Sequence, residues 1–126
     1  MNTKQIGKIG ENLAVEFLKS NNYNILERNY HNRIGEIDII AENSSVLCFI
    51  EVKTRANDNF GLPQEAISKS KQRKISQTAL AYLKARNRLK GNFRFDVIAV
   101  MLNEAGENPD INLIKNAFDL DRQYFI

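Results

Sequence analysis

Residues 35–41 read GEIDIIA and residues 49–55 read FIEVKTR, with the polar break Glu42-Asn43-Ser44-Ser45 between them. Short runs rich in Ile, Val and Phe on either side of such a break read as two strands, 36–41 and 46–54. Yet these strands carry Glu36, Asp38, Glu51, Lys53 and Arg55, whose charges are costly to bury. A hairpin about a two-residue turn at Ser44-Ser45 pairs residues equidistant from the turn, so Asp38 faces Glu51 and Glu36 faces Lys53. Opposed side chains share one face of the sheet, with Cβ atoms about 4.5–5.5 Å apart. Slipping the pairing by one residue would turn Asp38 to the side of Ile50 and Val52, which burial forbids.

Two opposed carboxylates near Ile40 and Phe49 repel each other and raise at least one pKa unless a positive charge lies between them. A divalent ion removes that penalty, and a pair of acids with retained waters is the ligand set that Mg²⁺ or Mn²⁺ accepts. Lys53 follows Glu51 on the same face, about 6–7 Å along the strand, where an ammonium could orient an attacking water or steady a pentacovalent phosphate. The plainer alternative is a set of exposed ion pairs, Glu36–Lys53 and Glu51–Arg55, each contributing about 0.2–1 kcal/mol. Against it, Ile37, Ile39, Ile40, Phe49, Ile50 and Val52 give both faces apolar cover, so the acids belong at the sheet's end beside a cleft.

Upstream, Thr3 is a candidate N-cap for a helix with Ile6, Ile9, Leu13, Phe17 and Leu18 on one stripe, ending near Ser20-Asn21-Asn22. Glu11 shares a line with Gly7, Ala14 and Leu18, small neighbours that permit a close approach to another element. A strand over 23–30 and the turn His31-Asn32-Arg33 lead into Gly35. Downstream, 57–61 reads as a loop, Pro63 opens a helix or pair of helices running to about Leu89, and Gly91 stops it. Residues 93–101 form a strand buried on both faces, 104–110 a loop, and 111–114 a final strand. Helix, three strands, helix, then one or two strands predicts one three-layer α/β domain with a mixed sheet over residues 1–126.

The chain has 126 residues, 43% hydrophobic and 26% charged, enough for a modest core. No apolar run reaches the roughly 20 residues of a membrane span, and MNTKQIGKIGEN lacks the apolar centre of a secretory signal, so a cytoplasmic, membrane-free protein is expected. One cysteine, Cys48, reads as buried filler, and one histidine, His31, as a loop residue; a zinc site or a Ser-His-Asp triad finds little material here. The net charge is +3, but no acid lies between Glu65 and Asp96 while nine lysines and arginines accumulate, which points to a polyanionic partner. On one continuous helix Lys69, Arg73, Lys74, Lys84 and Arg88 fall within a sector of about 140°, opposite Ile75, Ala79, Tyr82 and Leu83.

Asp38 followed after twelve residues by Glu51-Val52-Lys53 resembles the D…ExK signature of the PD-(D/E)xK phosphodiesterases, which include restriction endonucleases and Holliday-junction resolvases. Five blocks in order resemble the uncharacterised YraN-like family of small bacterial proteins: Gly7-Lys8-Ile9-Gly10-Glu11, GEIDIIA, FIEVKTR, Lys71-Gln72-Arg73-Lys74-Ile75 and Arg94-Phe95-Asp96-Val97. The resemblance implies a restriction-endonuclease-like core, helix-strand-strand-strand-helix-strand. It implies Mg²⁺ or Mn²⁺ held by Asp38, Glu51, the Val52 carbonyl and Glu11, with Lys53 as the catalytic lysine. Ile37 stands where the superfamily's motif has proline.

The expected activity is metal-dependent hydrolysis of phosphodiester bonds in DNA or RNA, with Asp38, Glu51, Lys53 and Glu11 at the reacting centre. Nucleic-acid contacts are expected from Arg33 and Arg55 at the mouth and from Lys69, Lys71, Arg73 and Lys74 on the basic helix, the partner being DNA before RNA. The alternatives are a non-catalytic nucleic-acid-binding module of the same fold and a protein-interaction scaffold. Tyr124 and Phe125 either cover the core or meet a second subunit, which leaves a homodimer open.

Overall fold

The computed structural model describes residues 2–56, 67–102 and 109–120. The expected 57–61 loop, the Pro63 helix start, most of the 104–110 loop and the Tyr124-Phe125 contact lie outside them. The described elements are α1 (Thr3–Ser20), β1 (Asn24–His31), β2 (Glu36–Asn43), β3 (Val46–Arg55), α2 (Lys69–Ala85), β4 (Phe93–Met101) and β5 (Asp110–Phe118). The strands form one mixed sheet in the order β1-β2-β3-β4-β5, parallel only between β3 and β4. Placing β3 and β4 side by side and parallel requires a crossover, and α2 belongs to it.

Each helix covers one face of the sheet. Ala14, Val15 and Leu18 of α1 pack with Ile39, Ala41, Cys48, Ile50, Ile98 and Val100. Ile75, Ala79, Tyr82 and Leu83 of α2 pack with Ile37, Ile40, Leu47, Phe49, Phe95 and Val97. The result is the expected three-layer α/β arrangement, in which β3 and β4 are buried on both sides and therefore read as continuous apolar runs. Cys48 is fully buried, and burial pushes its thiol up to about 11.

Several boundaries differ from expectation. The N-cap of α1 is Asn2, not Thr3: Asn2 accepts from the Gln5 N–H while Gln5 reaches back to the Asn2 N–H, a reciprocal capping box. Thr3 lacks that partner three residues on. Helix α2 starts at Lys69, capped by Ser68, whose hydroxyl accepts from the Lys71 N–H. It ends at Ala85, before the basic stripe is complete. Arg88 lies past the end and forms a 2.8 Å ion pair with Glu42, so it does not extend the stripe. Strand β5 continues to Phe118 because its bulge opposite Phe95–Val97 resets the pairing and lets Phe118 stack on Phe95.

Candidate active site

The β2–β3 hairpin turns at Ser44-Ser45, both with positive φ, and pairs Asn43 with Val46 through to Ile39 with Ile50, the register expected from the turn. There the backbone ladder stops. Ile37 packs on the α2 side while Ile39 packs on the α1 side, although residues two apart should share a face, so β2 rotates at Asp38. Beyond this point β3 continues against β4, pairing Lys53 with Ala99, while Glu36 pairs with His31 of β1. The expected facing of Glu36 and Lys53 is therefore lost: the two strands have parted before reaching it.

Asp38 sits in the fork. Its Oδ2 accepts a 2.8 Å hydrogen bond from the Val52 N–H, which would otherwise have no ladder partner on that side. The Glu51 carboxyl lies beside Asp38, close enough for the Asp38 charge to act on it. Glu51 is 4% exposed. Burial first, then the Asp38 charge, pushes its carboxyl up to about 8, against the opposing pull of Lys71.

Lys71 from α2 places its Nζ 3.6 Å from Glu51 Oε2. It also meets Lys53, and burial together with the neighbouring Lys71 ammonium holds the Lys53 amine well below the usual lysine range. Lys71 moves the other way, raised by its contacts with Lys53, Glu51 and Asp38 against the desolvation that opposes them. The ion-pair partner of Glu51 is therefore Lys71, which joins Lys53 beside the acids. A sequence signal was available, because Lys71 lies only about 40° from Ile75 on a helical wheel, on the apolar side and off the basic stripe. A lysine there must find an acid within the fold.

Glu11 reaches the fork from the opposite layer. At Gly10 a Cβ would overlap the Thr54 side chain, so α1 touches β3 with nothing between the backbones but that threonine. This contact lowers Glu11 beside the strand end; the small neighbour that matters is Gly10, whereas Gly7 faces open space. Oε1 of Glu11 is buried without a hydrogen-bond partner, and burial followed by the Asp38 charge raises the carboxyl above its ordinary value. Glu11, Asp38, Val52, Lys53, Arg55 and Lys71 line a cleft of about 280 Å³. A larger cleft of about 560 Å³ at the Phe93 end of β4 contains none of these acids.

The donor set suits a hard dication: carboxylate oxygens, one of them orphaned, and a Glu51 carboxyl that burial makes costly to ionise. Closure is incomplete, since among the described residues no three Asp, Glu, His or Cys side chains converge at metal-ligating distance. Asp38 and Glu51 form the near pair, with Glu11 farther out.

The remaining candidates are dispersed. Lys69 and Arg73 line a separate cleft of about 480 Å³ against β5. The stem of Lys74 covers Gly35, and Arg33 is exposed in the same β1–β2 turn. His31 is exposed at the end of β1. Elsewhere, fully buried Asp96 is held by Arg94 through two 3.0 Å hydrogen bonds and by the Asn116 N–H, and Arg94 donates to the Tyr23 hydroxyl at 2.8 Å. This network ties the end of α1 to β4 and β5, and it explains two charged residues in an otherwise apolar strand.

The model of the uncharacterised protein family UPF0102 matches residues 10–100, a span that includes α1 from Gly10, the forked hairpin, α2 and most of β4. The chain belongs to this family. UPF0102 proteins from Caldicellulosiruptor saccharolyticus and Dictyoglomus thermophilum are 46% and 42% identical to it, covering 94% of this chain and 100% of their own. One from Clostridium botulinum is 49% identical over 93% of this chain and 96% of its own. The crystal structure of SSO0001 has a TM-score of 0.35 at 19% identity, over 90% of this chain and 51% of that one, too slight a likeness to inform the fold. UPF0102 membership accounts for the ordered blocks, and no described helix is long and apolar enough to cross a membrane.

Proposed function

We propose that this protein is a metal-dependent phosphodiesterase acting on nucleic acid, with the PD-(D/E)xK arrangement of Asp38, Glu51 and Lys53. One observation carries the reading: two carboxyls meet where β2 leaves β3, Asp38 on the wall of a cleft that also receives two lysines and Glu51 buried behind it, where burial opposes its ionising without a compensating cation. Asp38 and Glu51 would hold Mg²⁺ or Mn²⁺ with the Val52 carbonyl, and Glu11 would reach it directly or through water. Such an ion polarises a phosphoryl oxygen and lowers the pKa of a bound water.

The chain's own groups supply the rest. Asp38 is held by the Val52 N–H, which fixes its carboxylate at the cleft wall. Lys53, whose proton is weakly held, orients the attacking water. Lys71, relieved of Glu51 once that charge is matched elsewhere, turns its ammonium to the non-bridging phosphate oxygens and stabilises the charge that develops there. DNA is the preferred substrate, and direct displacement of the leaving oxygen by water needs no covalent enzyme intermediate. A second reading, a nucleic-acid-binding module without turnover, is favoured by one observation: the Lys71 ammonium already stands beside Glu51, at 3.6 Å.

Calorimetric titration with Mn²⁺, beside a cleavage screen on branched, flapped and single-stranded substrates, separates these. Mn²⁺ binding with cleavage, both lost in Asp38→Ala, supports the hydrolase. Metal-independent, salt-sensitive binding without cleavage supports the module.

A further inference from the structure

The acid cleft does not end at Glu11. A second cleft of about 570 Å³ adjoins it, lined by Lys4, Gly7, Lys8, Glu11, Asn12 and Arg28, and the two share Gly7 and Glu11. Lys4, Lys8 and Glu11 recur at the three-to-four spacing of one helix face, so the lysines stand in line with the site on the exposed side of α1. Neither lysine enters an ion pair among the described residues. Arg28 closes the far wall, held there by a 2.7 Å hydrogen bond to Asn12 Oδ1. Basic groups therefore lie on both sides of the acids, Lys4, Lys8 and Arg28 on one and Lys53 and Lys71 on the other.

Gly7 is the saddle between the two clefts. A glycine inside a helix costs stability relative to alanine and is retained where something must approach the backbone. Here a Cβ would meet no protein atom within 4 Å, so packing within the fold does not ask for it. Gly10, one turn on, is explained by Thr54; Gly7 is left open toward the clefts. The basic stripe of α2, by contrast, is diverted: Lys69 and Arg73 line the cleft against β5, Lys74 covers Gly35, and Arg88 is bound to Glu42.

The geometry points to a phosphodiester strand crossing α1 at Gly7, its phosphates gripped by Lys4, Lys8 and Arg28, so that the α1 side and not the α2 stripe is the main nucleic-acid contact. This deepens the proposed function and rests on it for the placement of the strand over Asp38 and Glu51. It does not depend on turnover, because the grip is outside the acid cluster.

Fluorescence anisotropy in EDTA, with labelled 20-nucleotide single-stranded DNA, the same RNA sequence and a 20-base-pair duplex, tests it apart from cleavage. Lys4→Ala/Lys8→Ala should weaken binding to the preferred form at least tenfold and flatten the log Kd against log salt slope by about 1.4, two phosphate contacts on a single strand. Lys69→Ala/Lys74→Ala should cost less than threefold. Gly7→Leu, whose melting temperature should be no lower than that of the parent, should also lose tenfold by filling the saddle. Equal or greater loss in the α2 variant, unchanged affinity in Lys4→Ala/Lys8→Ala, or no binding by the parent protein overturns the proposal. Binding lost in the α1 variants of a protein that never cleaves leaves it standing and removes the hydrolase reading instead.

Discussion

Asp38 bonds to the backbone of the neighbouring strand through its side chain: Oδ2 accepts from the Val52 N–H at 2.8 Å, one step past the last backbone pair, Ile39 with Ile50. A ladder that ends by substituting a carboxylate for a carbonyl leaves an acid fixed at the base of a fork. That substitution makes the cleft and orients the acid in one stroke.

Asp38→Asn keeps an amide oxygen to accept from Val52, so the fold should lose no more than about 1 kcal/mol. Cleavage in Mn²⁺ should fall on the order of 10²-fold or more, since the amide lacks the charge that the ion requires. Urea denaturation and initial rates measure the two effects. A variant that melts early and loses activity in proportion would mean that Asp38 serves only the hairpin.

Glu51 predicts a stability that depends on pH in an unusual direction. Its carboxyl holds a proton up to about 8 in the folded protein against an ordinary 4.5, so between those values the folded state binds more protons than the unfolded one. Stability is therefore lost as pH rises through that window. Glu51→Gln removes the ionisable group and should stabilise the metal-free protein at pH 8 by on the order of 1–3 kcal/mol, with a gap that shrinks toward pH 5. Saturating Mn²⁺ should raise the melting temperature of the parent protein and leave that of the glutamine variant unmoved.

Gly10→Ala should cost about 1–3 kcal/mol, because its Cβ would sit on the Thr54 side chain, with Thr54 Cβ itself only 2.7 Å away. Thr54→Ala in the same protein should recover part of that loss, a positive coupling in a double-mutant cycle. Activity should fall further than stability does, since α1 carries Glu11 and any lift of the helix withdraws it from the fork.

Asp96 tests the buried network away from the cleft. Removing its charge as Asp96→Asn leaves Arg94, 13% exposed, without its partner and should destabilise the protein by about 3–5 kcal/mol. Tyr23→Phe, which removes one neutral acceptor from the same arginine, should cost about 1 kcal/mol. Chemical denaturation at constant pH reads both, and comparable losses in the two variants would contradict the network as drawn.

Much of this was legible in the residues. The Ser44-Ser45 turn with its apolar flanks set the hairpin register, because a one-residue slip would exchange core for solvent along two strands. The continuous apolar run of β4 announced a strand covered on both faces, and the apolar stripes of the two helices announced the layers that cover it. Local chemistry misled where a better partner lay one residue away, as with Asn2 capping α1 in place of Thr3.

The sequence by itself determined the order of elements, the hairpin register that directs Asp38 toward Glu51, and the presence of basic charge nearby, since these follow from local periodicity and turn chemistry. Only the tertiary structure decided where β2 leaves β3, that Lys71 reaches Glu51 from the other layer, and that Glu11 descends through Gly10. Each of those depends on the distance between elements far apart in the chain, and close packing fixes such distances through the shapes of the residues between them.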